Sequence, residues 1–170
     1  MQLLILQYPT VTALNGAAAG AGANLALAAD IVIAKSSAYF VQAFSRIGLI
    51  PDVGGTYFLP RAMGLAKSIG SSIFADKIMA AEAHEIGLIY EYVEDDNYDI
   101  HLKSRVEYLA NGPTVAFAGI KTAMRKSLNN SLDEQLELEA KLQKKCGNTR
   151  DFQEGVLAFH EKRDAKFEGR

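Results

Sequence analysis

A single cysteine, Cys146, leaves this chain no partner for an internal disulfide, and its neighbours Lys144, Lys145 and Gly147 read as an exposed helix end. A reducing, cytoplasmic setting is therefore expected. Net charge is scarce as well. At a formal −2 the chain has no basic excess with which to gather phosphates, so neither a nucleic acid nor a membrane surface is the expected partner. Long hydrophobic runs are missing. The apolar start, Met1–Tyr8, is short, has no basic residue and is interrupted by Pro9, so it reads as a helix end or a strand lead-in and not as a signal peptide or membrane span. His84, His101 and His160 lie far apart, without acid or thiol companions at ligand spacing, so no metal site is expected. Ser45, Ser68, Ser71 and Ser72 lie in no nucleophile-elbow sequence. No fixed-period repeat is evident.

What remains is ordinary globular material: 170 residues, 49% hydrophobic and 22% charged, enough for roughly one domain with a sizeable core. Residues Thr10–Leu14 read as a buried strand, closed by the turn pair Asn15-Gly16. A tract of only Ala and Gly follows, then a short buried helix over 23–29 and two short strands over 30–34 and 38–41. Gly48–Gly55 reads as a loop, leading into helices near 56–60 and 66–74 separated by Gly64. A small helix over 80–86 stops at Gly87, and residues 88–93 have strand composition. Beyond Asp95 the pattern turns helical. Pro113 opens a helix with Phe117, Ile120, Met124 and Leu128 on one stripe, Ser131-Leu-Asp-Glu134 is a capping-box signature, and a last helix covers 150–162. The chain thus divides into an α/β part, residues 1–95, and a helical part, residues 96–170.

Carboxylates are rare in the N-terminal half: before Asp76 only Asp30 and Asp52 occur. Asp30 sits at a helix-to-strand junction, where a side chain capping local backbone is the expected role. Asp52, between Pro51 and Val53-Gly54-Gly55, has two readings. It could cap the following helix. Alternatively, burial among Phe44, Leu49 and Ile50 would disfavour its charged form, as suits a group that transfers protons near neutral pH. The Ala/Gly tract can be a packing device, a partial dinucleotide fingerprint or an oxyanion site. Against the fingerprint, Leu25 stands where a third glycine belongs, and no acid lies between Ile31 and Pro51 to bind a ribose. Helix-start N–H groups, approached closely because no bulky side chain intervenes, suit charge developing on a carbonyl oxygen.

Asn15-Gly-Ala-Ala-Ala-Gly-Ala-Gly-Ala-Asn-Leu-Ala-Leu-Ala-Ala-Asp30, followed by Ile47-Gly-Leu-Ile-Pro-Asp-Val-Gly-Gly-Thr56, resembles the crotonase, or enoyl-CoA hydratase/isomerase, superfamily. The resemblance continues through Leu59-Pro-Arg61, Ala80-Ala-Glu-Ala83, Gly87-Leu88 and the tail from Glu154 to Arg163, covering nearly everything after Tyr8. Within the superfamily, residues 23–27 and 42–45 are most similar to the ring-1,2-epoxyphenylacetyl-CoA isomerases of phenylacetate breakdown. It implies an α/β crotonase-like spiral of ββα units with an all-helical C-terminal trimerisation region, and a homotrimer or dimer of trimers. It implies an acyl-CoA thioester as substrate and no cofactor beyond the coenzyme A the substrate carries. The Ala21 N–H corresponds to one oxyanion donor, and Phe159 and Lys162 to contacts with the adenine and 3′-phosphate region of coenzyme A.

Family hydratases use two glutamates, at positions that correspond here to Asn24 and Phe44, so these two are expected to line the substrate pocket without activating water. Asp52 matches the acid/base position of members that move double bonds. The other oxyanion donor of the family lies in an N-terminal segment that resembles Phe-Ser-Ala-Gly-x-Asp and has no counterpart here, so this chain alone is expected to be weak or inactive. Three functions stay open at this point: an acyl-CoA isomerase acting on an epoxide of the phenylacetyl group or an unsaturated acyl chain, an enoyl-CoA hydratase, and a non-catalytic trimerising module.

Overall fold

In a computed structural model, residues 6–170 are described; the lead-in expected over Met1–Tyr8 lies mostly outside them. The chain forms two compact units, one holding Thr10–Ser104 and the other Arg105–Arg170 with Gln7–Pro9.

The first unit alternates strands between two sheets. β1 (Val11–Leu14) is followed by β2 (Ala17–Ala19) and α1 (Ala21–Ala26); β3 (Ile31–Lys35) is followed by β4 (Tyr39–Val41), a 3₁₀ segment (Ala43–Ile47) and α2 (Gly55–Met63). α3 (Leu65–Phe74), β5 (Ile78–Met79), α4 (Ala80–Glu85), β6 (Glu91–Val93) and a second 3₁₀ segment (Asp95–Asn97) complete the ordered elements before the final helices. One sheet runs β1-β3-β6, all parallel, with Val11 opposite Ile31 and Ile33 opposite Glu91. The other runs β2-β4-β5, with β2 parallel and β5 antiparallel to β4. The strands of each of the first two ββα units, β1-β2-α1 and β3-β4-α2, therefore fall in different sheets, whereas β5 returns to pair with β4 before β6 joins the first sheet. The Ala tract makes this possible, because Ala17, Ala18 and Ala19 pair with Tyr39, Phe40 and Val41 and leave room for the Phe40 ring in the core. Phe40 and Ile33 are the largest apolar side chains there that are fully buried.

Two local devices fix this framework. Asp30 accepts hydrogen bonds from the Thr10 N–H and hydroxyl, both at 2.8 Å, tying the entry of β1 to that of β3. Its role is structural, as expected, but the bond spans 20 positions to a neighbouring strand and is not the local backbone cap expected of it. The Tyr98 hydroxyl donates to the Ile33 carbonyl at 3.0 Å; burial, with Asp99 adding, pushes this phenol up to about 12 and keeps it a donor across the neutral range.

The second unit contains α6 (Thr114–Ser127), α7 (Leu132–Gly147) and α8 (Arg150–Glu161), preceded by α5 (Tyr98–Ala110), which runs in from the first unit. The capping box at the start of α7 is complete: Ser131 Oγ accepts from the Glu134 N–H at 3.4 Å, and the Glu134 carboxylate accepts from the Ser131 N–H at 2.7 Å. Ser131→Ala removes one half of that exchange and is expected to cost about 1 kcal/mol in thermal unfolding, whereas Ser131→Asp should largely restore it. The stripe on α6 differs from expectation. Ile120, Met124 and Leu128 are exposed, and only Gly119 of that helix is buried.

After α8 the chain folds back along the helix. Glu154 receives both Nη atoms of Arg163, at 2.6 and 3.0 Å, and the Lys166 N–H at 2.8 Å. The Arg163 bonds first, then Lys166, hold this carboxyl down at about 2. A depressed carboxylate stabilises the folded state above its ordinary value near 4.5, and that contribution disappears as pH falls toward 2. Arg163→Gln should therefore flatten the acid-side loss of stability between pH 5 and 2, read by circular dichroism during acid titration.

Candidate active site

The glycine turn opens α1. Gly20 adopts φ 52° and ψ −125°, a conformation available to glycine, and donates its N–H to the Val41 carbonyl at 2.9 Å. A Cβ at Gly20 would stand 3.7 Å from the Phe44 ring, so the turn rests on that side chain. Ala21 is the first residue of the helix; it is exposed, and its N–H makes no hydrogen bond among the described residues. This is a donor of the kind expected at the start of a helix.

Asp52 arrives by a separate route. The 3₁₀ segment closes with Gly48 at φ 74° and is anchored by Arg46, whose guanidinium donates to the Ala75 carbonyl at 2.7 Å. The chain then turns outward. Phe44 is buried as expected, but Leu49 and Ile50 are 58% and 77% exposed, and Asp52 is exposed with them. Burial of Asp52 among these three is corrected accordingly: the Leu49 N–H still reaches the Phe44 carbonyl at 3.0 Å, but the turn at Gly48 leaves the Leu49, Ile50 and Asp52 side chains in the open. The capping role fares no better. α2 takes Gly54 as its N-cap with no side-chain cap bond, and it is the Asp52 carbonyl, not the carboxylate, that receives the Gly55 N–H at 2.8 Å. The carboxylate has no hydrogen bond or ion pair among the described residues, and so is free to meet a ligand.

Asn24 links the two routes. It is fully buried, its Nδ2 donates to the Asp52 carbonyl at 2.9 Å, and its Oδ1 accepts from Gln42 Nε2 at 2.9 Å. Its amide is thus committed at both ends. Gln42, Val53 and Gly55 are the participants that sequence reasoning missed. Gln42 carried a signal, a polar residue directly after the apolar strand Tyr39–Val41. Phe159 and Lys162 belong to the second unit, at the end of α8. Phe159 is 81% exposed and borders a cavity of about 430 Å³ shared with Phe152, Val156 and Phe167. Lys162 is exposed and ends the helix in the left-handed region, at φ 54°. Among the described residues, no group of three potential ligands is placed to hold a metal, and no helix is long and apolar enough to cross a membrane.

In sum, one exposed loop carboxylate, one open helix-start N–H and an apolar ring beneath the glycine turn are arranged by β2, β4, α1 and α2. An open helix-start N–H can polarise a carbonyl, and an exposed carboxylate can carry a proton. The profile of the family described as "Enoyl-CoA hydratase/isomerase" matches residues 1–170. A protein named "Probable enoyl-CoA hydratase" from Rhodobacter capsulatus is 56% identical over 95% of this chain, and the 1,2-epoxyphenylacetyl-CoA isomerase of Escherichia coli is 44% identical over 99%. The chain spans 63% and 64% of the length of these two relatives. The crystal structure of an enoyl-CoA hydratase/isomerase from Cupriavidus metallidurans superposes with a TM-score of 0.91 at 34% identity, covering 98% of this chain and 63% of that one. The architecture is the crotonase fold, and the chain belongs to the enoyl-CoA hydratase/isomerase family.

Proposed function

We propose that this chain carries the acid/base group and one oxyanion donor of an acyl-CoA isomerase. The thioester oxygen accepts a hydrogen bond from the Ala21 N–H, which stabilises the enolate formed when a proton leaves the acyl chain. Asp52 takes that proton and returns it to a different carbon, so the product has the mass of the substrate. The exposed apolar residues Leu49, Ile50 and Val53 flank Asp52 and suit an acyl chain, with Phe44 as apolar lining. With an epoxide of a phenylacetyl thioester as substrate, the same groups would assist opening of the epoxide to a ring-expanded isomer; the relative from Escherichia coli favours that choice.

One observation carries the reading. Where water activation by a pair of carboxylates would be needed, there stand a phenyl ring, Phe44, and an amide, Asn24, already hydrogen-bonded at both ends. Asp52 alone is left to carry a proton. Hydration is the second reading, favoured by the name of the relative from Rhodobacter capsulatus. Mass analysis of the products from an unsaturated and an aromatic-epoxide CoA thioester separates the two: isomerisation leaves the mass unchanged, and hydration adds one water. Contacts of Phe159 and Lys162 with coenzyme A, assembly as a homotrimer or dimer of trimers, and residence in the cytoplasm complete the proposal.

A further inference from the structure

We infer that Asn24 and Gln42 form a buried amide relay whose task is to position Asp52. The inference rests on the acid/base reading of Asp52 and deepens it.

The orientation of the relay is set from one end. The Asp52 carbonyl can only accept, so Asn24 must turn Nδ2 toward it, which leaves Oδ1 facing Gln42 and obliges Gln42 to present Nε2. The consequence is visible at the far end: Gln42 Oε1 is buried without a partner among the described residues. Reversing Gln42 would set two acceptors against each other, so the orphan is what it costs to keep the relay pointed at Asp52.

Two features explain why Asp52 needs holding. The next residue, Val53, is β-branched yet has φ 49°, and such strained backbone persists only where neighbouring groups over-determine it. The carbonyl immediately before it is held twice, by the Gly55 N–H at 2.8 Å and by Asn24 Nδ2 at 2.9 Å. Space for the relay is reserved as well, since a Cβ at Gly55 would lie 2.3 Å from Asn24 Nδ2 and 2.7 Å from its Cγ. Asn24 is therefore a positioning residue. It acts on the reaction through the backbone of Asp52.

A double-mutant cycle in the protein at its natural length tests this, with an isomerisable acyl-CoA as substrate. Asn24→Leu keeps the number and branching of the side-chain heavy atoms and removes both hydrogen bonds. It is expected to lower kcat about 10- to 100-fold, since small displacements of a reacting group are costly, with KM little changed. In an Asp52→Asn background the same change should cost less than about two-fold, because a misplaced group already disabled has nothing more to lose. Unchanged turnover in Asn24→Leu, or an equal loss in both backgrounds, overturns the relay. Full activity in Asp52→Asn alone instead overturns the acid/base assignment. Should Asn24→Leu not fold, Gln42→Met carries the cycle: it removes the orphaned acceptor along with the bond to Asn24, and the same non-additivity with Asp52→Asn is required.

Discussion

Asp52→Asn is expected to lower isomerase turnover at least about 100-fold while leaving KM for the thioester nearly unchanged, the loss usual when a positioned general acid/base is removed. The amide keeps the size and shape of the carboxylate but cannot accept and return a proton. Folding should be unaffected. The carboxylate is exposed and caps nothing, while the backbone carbonyl that does anchor the turn is retained in the variant. Thermal unfolding of the purified variant checks that point, and steady-state kinetics read the effect. A loss appearing mainly in KM would instead assign Asp52 to ground-state binding.

Ala21→Pro probes the other half of the chemistry. Removing the Ala21 N–H should reduce kcat by about 100- to 1,000-fold, or roughly 2.7–4 kcal/mol, as for loss of one oxyanion donor. Proline suits the first position of a helix, where the missing N–H has no intrahelical acceptor and φ is already near the required value. The residue before it is Gly20, which has no Cβ to meet the new ring, and Ala21 itself is exposed. Ala21→Ser, which retains the N–H, should keep kcat within a few-fold of the unsubstituted protein, so that the pair isolates the donor from the side chain.

Much of the fold was legible in the sequence. The strand before Asn15-Gly16, the helix pair divided by Gly64, the capping box at Ser131 and the helix from Arg150 are set by local chemistry: turn pairs, left-handed glycines and side-chain caps. Strands β2 and β5 were not legible. Three alanines have no strand propensity of their own, and two residues at Ile78–Met79 are too few for a pattern; both pair because β4 lies between them. The 3₁₀ segment at 43–47 depends on a long-range bond from Arg46 to Ala75, which no local pattern announces.

The site was legible by residue type and less so by environment. Asp52 stood out because acids are so rare before Asp76, yet its exposure follows from where the chain turns at Gly48 and not from the apolar letters around it. Asn24 was visible as the residue at a position that a glutamate would occupy in a hydratase. Its engagement by Gln42 and the Asp52 carbonyl joins residues 18 and 28 positions apart in sequence, and only the crossing of β4 and α2 beside α1 brings them together.

The central claim is that Asp52 moves a proton along the acyl chain without adding water. Turnover of an unsaturated CoA thioester in D₂O by the protein at its natural length, with products weighed by mass spectrometry, addresses it most directly. The account predicts an isomer with no added water, carrying on carbon either the proton that Asp52 removed or, where the carboxyl exchanges before redelivery, one solvent deuterium, and loss of that product in Asp52→Asn. A product heavier by one water, or isomer formed undiminished by Asp52→Asn, would contradict it.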